Sequence, residues 1–363
     1  MLFRSPSAEH PLRPRRAPDP PKHLKHLDLA HRTKLFLTPD HQSHAVLPNG
    51  TTVPLYSEDF FTWYLEVFNH EQIPNPSSAQ FSFVQRQLDA EAFSTRNFQQ
   101  AHLRVAKTGQ AAYEIDLQNF DHPAVELNYH NWNLTTAAAE SNFLSPTQNH
   151  PYPIPEQSPQ DLPTTLAKDF ALAPETATQL AKWLALAMLP DQQPPILVIT
   201  GKKRDEAARK LRNLLDPVIH PLLEIPYTNR ELGQLALTNN VLAFSIFKYI
   251  APSKIEALNK LQTGMLVKLK EVNKRRSPVW STIARPIIIS AGEPIQISSN
   301  QINIEINEAN AGDDASQLFG ALLSMMVVVL NQIFTKPTFE STMPAHKPPP
   351  PPNIRESTNA PYT

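Results

Sequence analysis

PILVITGKKRDEAARKLRNLLDP, residues 195–217, joins two patterns at Thr200-Gly201. Residues 196–200 (ILVIT) form a short continuous apolar run, the pattern of a strand buried on both faces of a parallel sheet. After Gly201 the apolar residues recur as Leu211, Leu214 and Leu215 among charges, which reads as an amphipathic helix. The same alternation continues downstream. Residues 241–247 (VLAFSIF) and 286–291 (PIIISA) are further apolar strands, and 301–306 (QINIEI) alternates. Between them, Thr228 with Glu231 and Ser253 with Glu256 have the spacing of helix capping boxes. Strands separated by helices predict a layered α/β domain, with the three continuous apolar strands, 196–200, 241–247 and 286–291, in one sheet and helices on both faces.

A buried strand that ends in Thr-Gly and feeds a helix is the setting of a phosphate-binding P-loop. Backbone N–H groups wrap the phosphates, a lysine neutralises the outer ones, and a Ser or Thr holds Mg²⁺. A full loop from Gly201 requires glycine at 206, lysine at 207 and a hydroxyl at 208. The chain has Gly201, Lys202, Lys203, Arg204, Asp205, Glu206, Ala207 and Ala208. The second glycine, the lysine and the hydroxyl are absent at their places, and Asp205 and Glu206 repel an anion. Lys203 or Arg204 replaces charge but not loop geometry.

With these residues in view, residues 195–217 resemble the nucleotide-binding segment of the helicase-like ATPases attached to phage and mobile-element primases. Residues 226–237, 239–247, 258–264 (LNKLQTG) and 285–290 (RPIIIS) resemble later segments of that family in order and apolar pattern. Residues 36–39 (FLTP), 76–88 and 103–117 resemble the domain that precedes the ATPase. The resemblance spans roughly residues 34–334. It implies a P-loop NTPase-like (AAA+-type) layered sheet preceded by a small α+β domain. It also implies an acidic Walker B residue, where this chain has Ser245, and a sensor Asn, where it has Ser290. An Arg-rich segment is implied next, but residues 298–307 (SSNQINIEIN) contain no arginine. Phosphoryl transfer depends on positioning, metal and positive charge, so these departures together predict lost catalysis, with no catalytic residues and no ATP or Mg²⁺ bound.

The expected organisation is a basic, Pro-rich disordered tail at 1–32, a small α+β domain at 33–144, a Pro-rich linker at 145–163, the degenerate ATPase-like domain at 164–335 and a disordered Pro-rich tail at 336–363. In the small domain, Ser57 is placed to cap a helix through Phe60, Tyr64 and Phe68, and a second helix follows from Ser77 or Ser78. Residues 102–106, 112–117 and 125–129 alternate like strands. Residues 318–334 (LFGALLSMMVVVLNQIF) are short and interrupted for a membrane span and read as a buried core helix.

Composition narrows the function classes. The chain has no Cys, which excludes disulfides and thiolate metal sites. Met1-Leu2-Phe3 leads into charges and prolines rather than an apolar run, so the expectation is a cytoplasmic protein with no membrane partner. Net charge is −1, so any nucleic-acid contact needs a local patch. Residues 268–280 (KLKEVNKRRSPVW) supply one: Lys268, Lys270, Lys274, Arg275 and Arg276, with Trp280 as a stacking surface for DNA or RNA, or else a core residue beside a solvated loop. The scattered histidines, His41 and His44 included, predict no metal site. Three readings remain open. One is a non-catalytic scaffold binding nucleic acid, itself or an active relative. Another is a divergent nucleotide binder or weak ATPase using Lys202, Lys203 or Arg204. The third is a decaying mobile-element copy.

Overall fold

The computed structural model describes residues 27–335, apart from 29, 73, 120–122, 136–140, 145–148, 158–159, 248, 269–279 and 311–313. Residues 1–26 of the tail expected at 1–32, and all of that expected at 336–363, lie outside the described residues. Residues 30 and 32 pack against the folded chain. Ala30 is fully buried in a core with Phe60 and Leu88, and Arg32 pairs with Glu71 at 2.9 Å.

The first unit is an antiparallel sheet of β1 (Lys34–Leu37), β2 (Ser43–Val46) and β3 (Thr52–Pro54) under two helices, α1 (Glu58–His70) and α2 (Ser78–Thr95). Ser57 accepts from the Phe60 amide, and Ser77 and Gln80 form a full capping box. Phe60, Tyr64 and Phe68 recur at helical spacing and are fully buried. His44 is buried and stacked on Phe36.

A meander follows: β4 (Ala101–His102), β5 (Val105–Lys107), β6 (Ala112–Asp116), β7 (Ala124–Asn128), β8 (Trp132–Thr135) and β9 (Asn142–Phe143), with β5-β6-β7-β8 in one antiparallel sheet. The single strand expected over 102–106 is split around Arg104. Its guanidinium turns inward, fully buried, to reach Asp216 at 3.1 Å and the carbonyls of His150 and Pro217. The stretch expected as a linker is tied down in the same place. Tyr152 is buried, its hydroxyl donates to the Leu215 carbonyl at 2.5 Å and its ring lies 5.0 Å from the Arg104 guanidinium. At its end, Asp161 caps a helix that the Pro-rich composition hid, α3 (Leu162–Phe170). Proline is tolerated in a first helical turn because the N–H it lacks has no partner there.

The remaining elements are α4 (Pro174–Met188), β10 (Ile196–Thr200), α5 (Arg204–Leu215), α6 (Asn229–Thr238), β11 (Leu242–Ile246), α7 (Pro252–Thr263), β12 (Met265–Lys268), β13 (Trp280–Ile283), β14 (Ile287–Ala291), β15 (Gln301–Glu305) and α8 (Ala315–Thr335). One parallel sheet runs in the order β11-β14-β10-β15. Leu197, Ile199, Ala243, Ile288 and Ile304 join one core with α4, α5 and α8. Ile196, Val198, Phe244 and Ile289 face the opposite core with α6 and α7. Two-sided burial is what the continuous apolar runs require. Thr228 and Glu231 form the expected capping box. Ser253 and Glu256 do not. Ala251 is the N-cap, Pro252 takes the first helical position, and Glu256 pairs with Lys260 instead.

α8 is long and apolar enough to cross a membrane by composition. Its residues Phe319, Leu322, Leu323, Met326 and Leu330 are buried in the core. Gly320 sits where a Cβ would come within 1.8 Å of the Glu156 carbonyl oxygen, so the helix closes directly onto the segment leading to α3.

Candidate functional site

The carboxyl ends of parallel strands are where α/β sheets usually hold ligands. Here those ends are occupied by the chain itself. Gly201, Lys202 and Lys203 alone join β10 to α5, so helix replaces most of what a phosphate loop would use. Gly201 has φ +100°, and a Cβ on it would lie 2.4 Å from the Ile306 carbonyl oxygen. That carbonyl accepts the Lys203 amide at 3.1 Å. The Lys202 amide donates to Asn307 Oδ1 at 3.2 Å, and the Asn307 side chain donates to Glu305 at 2.9 Å. Two amides that would face an anion are therefore spent on the segment after β15. The Lys203 ammonium bonds Glu206 at 2.9 Å and holds that carboxyl below its usual range.

Asp205 lies in the first turn of α5. Its Oδ1 accepts from the Ser245 hydroxyl at 3.1 Å and from the Ser290 hydroxyl at 2.5 Å. The two serines are register partners on neighbouring strands β11 and β14, so one carboxylate reaches both. A helix N-terminus favours an anion; at α5 the chain's own acids stand in the first turn. Ser290 is fully buried, as are Ala207 and Ala208, which face the core. Positions 207 and 208 thus serve packing, and a lysine at 207 would point into apolar side chains. Arg204 places Nη1 at 3.5 Å from the Gly201 carbonyl. Sequence reasoning takes Asp205 only as a repulsive charge and Ser245 and Ser290 as two unrelated losses. The structure brings all three together.

The basic segment belongs to a hairpin. β12 and β13 pair antiparallel, with Leu266 opposite Thr282 and Lys268 opposite Trp280. Met265, Val267 and Ile283 turn inward. Val267 fits against α6 because position 233 is glycine; a Cβ there would meet its methyls at 2.8 Å. Leu266, Lys268, Trp280 and Thr282 form the outer face. Trp280 is 49% exposed and so is not the core residue that one reading allowed. Lys270, Lys274, Arg275 and Arg276 lie outside the described residues.

No family model matches the chain, and no curated protein matches it. Solved structures do. An apo form of the NrS-1 C-terminal region, from a phage primase-helicase, is 11% identical with a TM-score of 0.40, over 87% of this chain and 69% of that one. A second form of that region is 10% identical with a TM-score of 0.40, over 84% and 67%. An SCCmec type IV Cch, described as an active helicase, is 12% identical with a TM-score of 0.33, over 81% of this chain and 58% of its own length. The likeness is to helicase-like folds alone and says nothing of what this chain binds.

Proposed function

We propose that this chain is a non-hydrolysing relative of the helicase-type P-loop ATPases, a scaffold that holds nucleic acid on its β12–β13 hairpin. The observation that carries the first half is the bonding of Ser245 and Ser290 to Asp205. Three positions where the family resemblance implies chemistry are bonded to one another. ATP and Mg²⁺, which that resemblance implies, do not fit the residues present. The Lys202 and Lys203 amides are taken by Asn307 and Ile306, and a carboxylate stands at the helix start where a phosphate would need positive potential. Support for the second half is the exposed Trp280 beside Lys268 at the root of a segment with four further basic residues. Aromatic faces stack on bases of any sequence while cations follow the backbone.

The test is calorimetric titration with ATP·Mg²⁺, together with anisotropy titration of labelled single-stranded DNA and RNA at low salt. No nucleotide heat with salt-sensitive binding of the oligonucleotide is expected. Micromolar ATP affinity abolished by Lys203→Ala would overturn the first half in favour of a divergent nucleotide binder. Absence of oligonucleotide binding would overturn the second.

A further inference from the structure

The two edges of the parallel sheet are finished differently. Along β11, Leu223 adds a parallel bridge: its amide donates to Ala243 and its carbonyl accepts from Ser245, both at 2.9 Å. Along β15 no strand follows among the described residues. The β10–β15 register has the Ile196 amide donating to the Asn300 carbonyl and the Ile306 amide to the Thr200 carbonyl. In a parallel ladder this turns the backbone groups of residues 300, 302, 304 and 306 toward β10. Those of Gln301, Asn303 and Glu305 point outward, and Asn303 and Glu305 are exposed. An open edge of this kind is a template for another strand. QINIE has no lysine and no proline, and its one charged residue is Glu305 at the end of the strand.

We propose that β15 is the docking edge for a second copy of this chain, the two β15 strands pairing antiparallel about a two-fold axis at Asn303. The sequence of the strand names the occupant. With Asn303 opposite its own copy, the outward N–H and C=O groups of each strand meet those of the other. Glu305 then faces the neutral Gln301 of the other copy, so no like charges oppose each other across the axis. On the other face of the sheet, half-buried Ile302 comes beside buried Ile304 of the second copy, extending the core that both already join. A two-fold contact must be self-complementary, and QINIE is. This assembly stands apart from the nucleotide and nucleic-acid reading; either can fail alone.

The chain has no cysteine, which gives a direct test. Residues directly opposite in a hydrogen-bonded antiparallel pair have Cα atoms about 5.5 Å apart, within disulfide reach. Asn303→Cys should form a covalent dimer rapidly under mild oxidation, while Ser82→Cys, on exposed α2, should stay monomeric. Sedimentation velocity of the unmodified full chain should show a concentration-dependent dimer. Asn303→Lys should shift it to monomer at least tenfold in dissociation constant, with an unchanged far-UV circular dichroism spectrum. A monomer at all concentrations, a dimer indifferent to Asn303→Lys, or equal cross-linking of the two cysteine variants would overturn the proposal.

Discussion

The Ser290 hydroxyl donates to Asp205 Oδ1 across 2.5 Å, from a strand end that is wholly buried to the first turn of the helix above it. The bond joins β14 to α5 at the carboxyl end of the parallel sheet, where α/β folds usually hold a ligand. A hydrogen bond to a charged group contributes about 1.5–3 kcal/mol. Asp205→Ala is expected to lower stability by about that amount, because two buried-side hydroxyls lose their acceptor. Ser245→Ala should cost less, since Ser290 continues to serve the carboxylate. Urea denaturation of the three proteins reads the order. Asp205→Ala should also gain no ATP affinity, because the Lys202 and Lys203 amides remain engaged.

Gly201→Ala and Gly320→Ala should both destabilise, for different reasons. At Gly201 an L-residue must hold φ +100°, and its Cβ lies 2.4 Å from a backbone oxygen. Strained backbone of this sort costs about 1–3 kcal/mol, before the contact is counted. At Gly320, inside α8, intrinsic propensity favours alanine by about 1 kcal/mol. The Cβ would nevertheless fall 1.8 Å from Glu156 O, a backbone atom that cannot swing aside. The sign is therefore expected to reverse, with a net loss visible as a lower thermal midpoint. A stabilised Gly320→Ala protein would mean that the 153–157 segment is not closed onto α8.

Much of the sheet is legible in the sequence because two-sided burial leaves a simple mark. ILVIT, LAFSI and IIISA are apolar except for Thr200, Ser245 and Ser290 near their carboxyl ends, and helices on both faces bury the apolar positions. Ser57, Ser77 and Thr228 mark their helices because cap chemistry is local. α3 is hidden because Pro-rich flanks outweigh a nine-residue helix in composition, although Asp161 before Pro163 is an available start signal. The β4/β5 break is hidden because its cause, Asp216, is 112 residues away. At the candidate loop, the losses at 206, 207 and 208 can be read position by position. That Ser245 and Ser290 meet Asp205 depends on strand register, which periodicity does not give.

The Arg104–Asp216 pair ties the meander to the parallel sheet. Both side chains are essentially without solvent, and Asp216 Oδ2 also accepts from the amides of Asn240 at 2.7 Å and Val241 at 3.3 Å. Removing one partner of a buried pair strands the other charge, typically at about 3–5 kcal/mol. Arg104→Met and Asp216→Asn are both expected to fall in that range by chemical denaturation. In Asp216→Asn the one remaining acceptor oxygen can serve both amides, with the Arg104 bond lost, so this variant should lie at the lower end. Separate transitions for the meander and the sheet, in place of one, would show that this pair does not couple them.

The hairpin makes a salt-dependent expectation. Removing one phosphate-binding cation from a single-stranded complex flattens the slope of log affinity against log salt by about 0.7. Changing Lys274, Arg275 and Arg276 to Ala should therefore lower the slope by about 2 and weaken binding at low salt. Trp280→Ala should weaken binding by about 1–3 kcal/mol with the slope unchanged, because stacking releases no counterions. Trp280 is half exposed on the outer hairpin face, so its replacement should leave the fold intact. Equal slopes for the triple variant and the unmodified protein would remove this segment from the binding surface.

The purified protein is expected to show no ATP hydrolysis at a helicase-like rate, alone or with DNA. The connection from β10 to α5 is three residues long, and its Lys202 and Lys203 amides are bonded to Asn307 and Ile306. Ser245, where the resemblance implies a metal-binding carboxylate, donates to Asp205. No arginine occurs between residues 286 and 335 to stabilise charge on a transferred phosphoryl group, and an arginine finger alone is worth about 10³–10⁵ in rate. Grafting the motif back, with Glu206→Gly, Ala207→Lys and Ala208→Thr, should not rescue activity. Positions 207 and 208 are fully buried in the apolar core, so the graft inserts an ammonium and a hydroxyl among leucines and should unfold the domain before it binds nucleotide. The measurement is phosphate release over protein freed of contaminating ATPases, with Lys203→Ala and Arg204→Ala as controls. Turnover in the unmodified chain that either control abolishes would establish a working site built on a different register of this loop.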